Sequence, residues 1–280
     1  MDYELKYLKY KEKYIQLKKQ IGGIKKNIAV YIGRFQPLHN AHLKTILKGL
    51  NEEDRLIIFI GSSGRPEKLS SEGKIDPKNP YGTKIRTAFI VESIREIDPN
   101  LLKKLSIIPL PDSWPDNDKW FQNIDDGIST EIKAHYGEEK VDSVQKIKEN
   151  FNIFLYGSGK DESTEKYLKM LVNGVKKNGE SYLIPKFIDP EVKHGLAESA
   201  GSAESAGSAE SAGSSGSAGS AESARSAGTL DATEIREIIT QIKTYGSDKA
   251  YAVEKKNLIE KLRRMVPEGV IRVLSSVENF

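Results

Sequence analysis

Cysteine is absent from all 280 residues. That excludes disulfides, thiolate nucleophiles and sulfur-ligated zinc or iron clusters, and it fits a reducing cytoplasmic location. Histidine is nearly as scarce, with four in the chain, so a zinc site has few ligands to draw on. No apolar run approaches the roughly 20 residues that span a bilayer, and the lysine-rich amino terminus lacks the apolar stretch of a signal peptide. Neither stable membrane insertion nor export is therefore expected. Strong charge of one sign is also missing. The formal net charge is +3, but residues 1–26 carry a surplus of +5 and residues 197–228 a surplus of −3, so the rest is close to +1. A nearly neutral body argues against extended nucleic-acid binding, which needs a basic surface.

Hydrophobic residues make up 38% of the chain, low for a globule, and two polar segments account for the shortfall. The first is an arm, residues 1–26. Tyr3, Tyr7, Tyr10, Tyr14 and Leu17 recur at helical spacing with lysines on the other faces, and Gly22-Gly23 ends the pattern. Fewer than three heptads is short for an independent coiled coil. The arm is read as an amphipathic helix packed on its own domain or on a second subunit, with a protein- or membrane-docking role as the alternative. The second segment, 197–228, repeats Ala-Glu-Ser-Ala-Gly-Ser with close variants. With no apolar side chain larger than alanine, it cannot offset the entropy of ordering itself. It reads as a disordered loop inserted into one domain spanning 27–280, a tolerable expansion because closure cost grows slowly with length. A helix is the lesser alternative.

Between these segments the pattern alternates. Short branched apolar runs at 28–32, 56–60, 105–110 and 151–156 suit buried parallel strands, and a further strand is expected at 182–184. Helical patterns fall at 40–50, 83–96, 117–135 and 162–173. After the repeat come a helix start with Asp231 or Thr233 as cap, a helix at 254–265 and a last one at 267–275. This order predicts an α/β fold, a doubly wound parallel sheet with helices on both faces.

The most informative stretch is Gly33-Arg34-Phe35-Gln36-Pro37-Leu38-His39-Asn40-Ala41-His42. It joins the first strand to the first helix, the usual ligand crevice of such a sheet. Glycine at the strand end permits positive φ or close approach of a ligand. A helix starting near Asn40 aims free N–H groups at a bound anion, and His39 and His42, one turn apart, can face the same phosphate. Either histidine could equally be a packing residue, and the pair could ligate a metal, although a complete site lacks partners. A second phosphate cradle is Thr233-x-x-Arg236 at a helix start, where a hydroxyl and a guanidinium join the helix N–H groups. Alone it could be an ordinary helix end. Together the two suggest a long polyphosphate held between them.

The first stretch resembles the GRFQPxHxGH signature of HIGH-superfamily nucleotidyltransferases. The nearest resemblance is to archaeal-type nicotinamide mononucleotide adenylyltransferases and the corresponding half of bifunctional adenylyltransferase/Nudix proteins. Leu230-Asp231-Ala232-Thr233-Glu234-Ile235-Arg236 looks like their second motif. Asp112 to Trp120 resembles their D-x-x-x-N-x-x-W region, Tyr156 to Thr164 their GHxKDxSS stretch, and Gly61-Ser62-Ser63-Gly64-Arg65-Pro66 their GSxxRP loop. The resemblance covers about 27–195 and 228–275. It implies a Rossmann-like nucleotidyltransferase fold that transfers an adenylyl group from ATP, with Mg²⁺, to nicotinamide mononucleotide, giving NAD and pyrophosphate. It implies that His39 and His42 meet the ATP phosphates and transition state. Gly33, Arg34 and Phe35 would line the triphosphate, with Thr233 and Arg236 completing that pocket. Arg65, Asn117 and Trp120 would lie on the acceptor side. By charge, Lys84 or Arg86 could also meet a phosphate, and a surface position is an equal alternative for both. Trp120 has a rationale of its own, since an electron-rich ring suits a cationic pyridinium. Related enzymes are oligomers, so a homo-oligomer is expected. Ala41 stands where the signature has glycine, and Ser158 where it has histidine. No Nudix signature is present, so the second activity is expected to be absent. Other acceptors, such as flavin or pantetheine phosphate, and a non-catalytic nucleotide-binding role remain open. The arm also resembles a Tyr/Lys-rich leader found on proteins of giant DNA viruses, which would make the location a host cytoplasm.

Overall fold

The central strand β1 (Lys26–Gly33) is buried along most of its length because both of its faces are apolar. It pairs in parallel with β2 (Arg55–Ile60) on one side and β4 (Phe151–Ser158) on the other. With β3 (Leu105–Pro109) and β5 (Leu183–Ile188) this makes a five-stranded parallel sheet in the order β3-β2-β1-β4-β5. The computed structural model describes residues 25–63, 79–113, 116–158, 162–188, 232–246 and 249–278, together with Tyr10 and Lys13. Residues 1–24 of the amino-terminal arm apart from Tyr10 and Lys13, together with Arg65, Asp231 and the 197–228 repeat, lie outside the described residues.

Alternation along β1 decides which helices cover which face. Ala29 and Tyr31 join Leu56 and Ile58 in a core with α1 (Asn40–Glu52), α2 (Thr83–Ile97), α6 (Ala232–Tyr245), α7 (Ala252–Met265) and α8 (Glu268–Glu278). Ile28, Val30 and Ile32 join Ile57 and Phe59 on the opposite face with α3 (Asn117–Tyr136), α4 (Val144–Asn150) and α5 (Glu162–Gly174). A period of two puts successive side chains on opposite faces, so both faces must be apolar where both are covered. The result is the expected doubly wound, Rossmann-like α/β fold. Between β1 and β4 the chain's direction of progress across the sheet reverses, and the crevice beyond their carboxyl ends is the ligand position of such sheets.

The carboxy-terminal helices pack by close approach. A methyl group on Gly269 of α8 would lie 2.5 Å from the Ser93 backbone nitrogen of α2. Only a glycine lets the two helices meet there. Two elements differ from the sequence reading. The seven-residue α4, capped by the Ser143 hydroxyl accepting from the Lys146 N–H at 3.2 Å, was not anticipated, because Val144 and Ile147 alone are too few to mark a period. The fifth strand runs on to Ile188 instead of ending at 184, since an edge strand tolerates Pro185 without an N–H.

Candidate functional site

The loop from β1 to α1 is built around Phe35. Its backbone is left-handed, with φ of 51°, a costly conformation for a bulky residue. The ring turns back over Gly33, where an added Cβ would lie 2.7 Å from Phe35 Cζ. Gly33 itself does not take positive φ. The missing side chain therefore makes room for the loop's own phenylalanine, rather than serving a left-handed turn. Phe35 is fully buried, edge-on to Tyr31 and to His42 with centroids 5.7 and 5.1 Å away. Its ring belongs to the core, so any contact it makes with a ligand comes from its backbone. Arg34, next to it, is exposed.

His39 is the N-cap of α1, and its Nδ1 accepts from the His42 backbone N–H at 3.4 Å. Nδ1 is thereby the unprotonated nitrogen and Nε2 carries the proton. The two imidazoles stack, with centroids 3.6 Å apart and planes 19° from parallel. His42 Nδ1 is sealed from solvent and has no hydrogen-bond partner, which leaves Nε2 as its outward nitrogen. Burial pushes the His39 pKa from 6.5 down to about 4, and burial together with His39 holds His42 well below its ordinary value. Both rings are neutral at pH 7, and a neutral imidazole can donate one N–H without carrying a charge. Ala41 falls in the first turn of α1, where its methyl is compatible with helix.

These depressed values make stability depend on pH. A histidine whose folded pKa lies below its unfolded one holds its proton better in the unfolded chain. Stability is then fully present above pH 6.5 and is lost as pH falls toward 4. A shift from 6.5 to about 4 corresponds to about 3 kcal/mol from His39. Urea midpoints at pH 7.5 and 4.5 should therefore diverge less for His39→Asn than for the wild-type chain. Equal divergence in both would show that His39 is not the titrating group.

The second cradle reaches the first. Arg236 in α6 donates through Nη1 to the Gln36 carbonyl oxygen at 3.0 Å and through Nη2 to the Thr233 hydroxyl at 3.1 Å. Thr233 lies inside the first turn of α6, which begins at Ala232, and is not its cap. The start of α1 is anchored from the same side, since the Asn40 side chain donates to the Arg264 carbonyl at the end of α7 at 3.0 Å.

Two residues that hold this loop were not singled out correctly from sequence. Gln36, 4% exposed, pairs its side-chain amide with both backbone groups of Tyr81: Nε2 donates to the Tyr81 carbonyl at 2.8 Å, and Oε1 accepts from the Tyr81 N–H at 3.0 Å. Arg86 is not on the surface. It is 2% exposed and forks into the carbonyl oxygens of Arg34 (2.8 Å), Gly61 (2.6 Å) and Ser62 (3.3 Å). A glutamine in a loop and an arginine in a helical pattern gave no local sign of these bonds, because each of these partners lies at least 24 positions away. Lys84 is exposed in the same helix.

Asn117 and Trp120 stand at the carboxyl end of the sheet, since α3 follows the carboxyl end of β3. Asn117 is exposed in the first turn of α3, behind an Asp116 cap. Trp120 is partly buried, edge-on to Phe121 at 5.5 Å, and packs against the core of that face. Part of the ring is thus structural. The loop beyond β2 is tied to this side by the Ser62 hydroxyl, 3.2 Å from Asp112 Oδ1. Ser158 ends β4. Among the described residues no group of three or more His, Cys, Asp or Glu side chains is arranged to hold a metal ion, and no helix is long and apolar enough to cross a membrane.

Residues 30–107, the sheet's first half with the glycine loop, match the family model described as cytidylyltransferase-like. The nicotinamide-nucleotide adenylyltransferase of Thermococcus onnurineus is 35% identical over 83 residues, which cover 30% of this chain and 39% of that protein. A nicotinamide/nicotinic acid mononucleotide adenylyltransferase from Acinetobacter baylyi is 31% identical over 143 residues, half of this chain and 60% of its own length. The match to the archaeal relative thus spans about two fifths of its length. A bifunctional NMN adenylyltransferase/ADP ribose pyrophosphatase from Francisella tularensis, crystallised with AMP and manganese, covers 89% of this chain and 52% of its own, at 17% identity and a TM-score of 0.46. The five-stranded parallel sheet in this strand order is Rossmann-like, and its first half carries the cytidylyltransferase-like match.

Proposed function

We propose that this chain transfers the adenylyl group of ATP to nicotinamide mononucleotide, forming NAD and releasing pyrophosphate. The observation that carries the reading is the bond from Arg236 to the Gln36 carbonyl. It ties together the two proposed phosphate cradles through residues 200 positions apart in the chain. The acceptor comes from the resemblance of the Asp112–Trp120 region and from the names of the archaeal and bacterial relatives.

In this mechanism the acceptor's 5′-phosphate oxygen attacks the α-phosphorus in line and the β,γ-pyrophosphate leaves. No side chain forms a covalent bond, so the protein contributes position and charge. His39 and His42 offer neutral N–H donors from a stacked, desolvated pair. Such donors need no reorganisation as charge moves onto the phosphoryl oxygens. Arg34 and Arg236 supply positive charge at the rim, and the α1 amino terminus adds its N–H groups. Mg²⁺, held by phosphate oxygens and water, would neutralise the leaving pyrophosphate. Arg65, Asn117 and Trp120 are proposed for the acceptor side, with the Trp120 face against the pyridinium. The same reading takes 27–280 as one domain interrupted by the 197–228 repeat.

Incubating the chain with Mg-ATP and a panel of phosphorylated acceptors tests this. Pyrophosphate and NAD should appear with nicotinamide mononucleotide. Turnover with only flavin or pantetheine phosphate would overturn the acceptor, and ATP binding without turnover on any acceptor would overturn the enzymatic reading.

A further inference from the structure

We propose that Arg86 is the positioning residue that makes the rim of this site fit for a polyphosphate, by drawing three backbone carbonyls inward and leaving its own charge beneath the loop. This rests on the reading of the site as a triphosphate site. At the carboxyl ends of parallel strands the last carbonyl oxygens have no ladder partner and project toward the crevice. Oxygens so placed carry partial negative charge where a polyanion is to lie. Arg86 removes this conflict. Its Nη1 collects the carbonyls of Arg34 and Gly61, and its Nη2 reaches that of Ser62 and the Thr83 hydroxyl at 3.4 Å. Ser62 takes left-handed backbone, with φ of 54°, a conformation that costs a serine energy and that the bond to its carbonyl helps to hold.

The charge balance points the same way. Buried arginines are ordinarily paired with a carboxylate. Among the described residues Arg86 donates only to neutral oxygens. Asp112, the one carboxylate among the described residues that acts on it electrostatically, is exposed and 3.2 Å from the Ser62 hydroxyl. Burial lowers the Arg86 pKa to about 10, so the guanidinium stays protonated at neutral pH. Its positive charge, shielded from solvent under the β1–α1 loop, acts on whatever anion the loop holds. Tyr81, five positions earlier in sequence, clasps Gln36 of the same loop. One short segment thus fixes the loop from both sides.

The test separates this role from simple scaffolding. Arg86→Met keeps an unbranched apolar stem and removes charge and fork. Arg86→Lys keeps the charge and loses the fork. The full chain is titrated with Mg-ATP and, separately, with adenosine. Arg86→Met is expected to bind ATP about 30-fold more weakly while adenosine affinity stays within about twofold, and Arg86→Lys to lose about three- to tenfold for ATP alone. Equal losses for ATP and adenosine would reduce Arg86 to a scaffold residue and overturn the proposal, as would unchanged ATP affinity. If Arg86→Met fails to fold by circular dichroism, the same ratio in Arg86→Lys decides. A wild-type chain that binds neither ligand overturns the proposed function and this role with it. Wild-type binding with indifferent variants overturns this role alone.

Discussion

His42→Ala is expected to slow pyrophosphate release about 10²–10³-fold while changing ATP affinity by less than about threefold. The asymmetry follows from where the ring sits. His42 stacks on His39 at 3.6 Å and meets the edge of Phe35 at 5.1 Å, so its orientation is set before any ligand arrives. Its pKa is held well below 6.5, which makes it a neutral donor with little attraction for the ground-state triphosphate. A donor of that kind matters most as charge builds on the reacting phosphoryl group, where a desolvated site strengthens it. The substitution also opens a cavity among aromatic rings, so folding is checked first by circular dichroism. Initial rates with nicotinamide mononucleotide and equilibrium titration with ATP then give the two numbers separately. Equal losses of rate and affinity would make His42 a binding residue only. An unaltered rate would remove it from the chemistry.

Arg236→Ala is the second large effect, an expected loss of about 10²-fold in kcat/KM for ATP. Here ground-state binding should suffer as well. The guanidinium is permanently charged, and it fixes the Gln36 carbonyl at 3.0 Å, holding the β1–α1 loop against α6. Removing it takes away the proposed phosphate partner and an observed tether together. Arg236→Lys keeps the charge without the two-pronged geometry, so it should recover only part, about tenfold below wild type. Full recovery by lysine would show that charge alone matters and that the tether to Gln36 is incidental. An alanine variant with wild-type kcat/KM would break the link between the two cradles on which the proposed function depends.

The strands were legible because burial on both faces leaves little room for polar residues. Ile28-Ala29-Val30-Tyr31-Ile32 and Leu56-Ile57-Ile58-Phe59-Ile60 announce themselves. The chain reversal at Gly33 and the helix start at Asn40 were legible as well, from glycine and from a polar run before Leu43. The reason for the glycine was not. Sequence suggests freedom of φ or room for a ligand, and the room is filled by Phe35. Nor was α4 visible, because two apolar residues in seven leave no period to read.

By itself the sequence determined the layered α/β plan and the two motifs proposed to hold phosphate, because strand burial, helix starts and short motifs are local consequences of residue type. Only the tertiary structure decided that Arg236 reaches the Gln36 carbonyl, that Gln36 clasps Tyr81 and that Arg86 is buried under three carbonyls. Hydrogen bonds between segments 24 to 200 positions apart leave no periodic trace. An arginine in a helix reads the same whether its guanidinium meets water or the ends of two strands. The physical reason is that a buried polar group is specified by the partner brought to it, and the partner's place is a property of the fold.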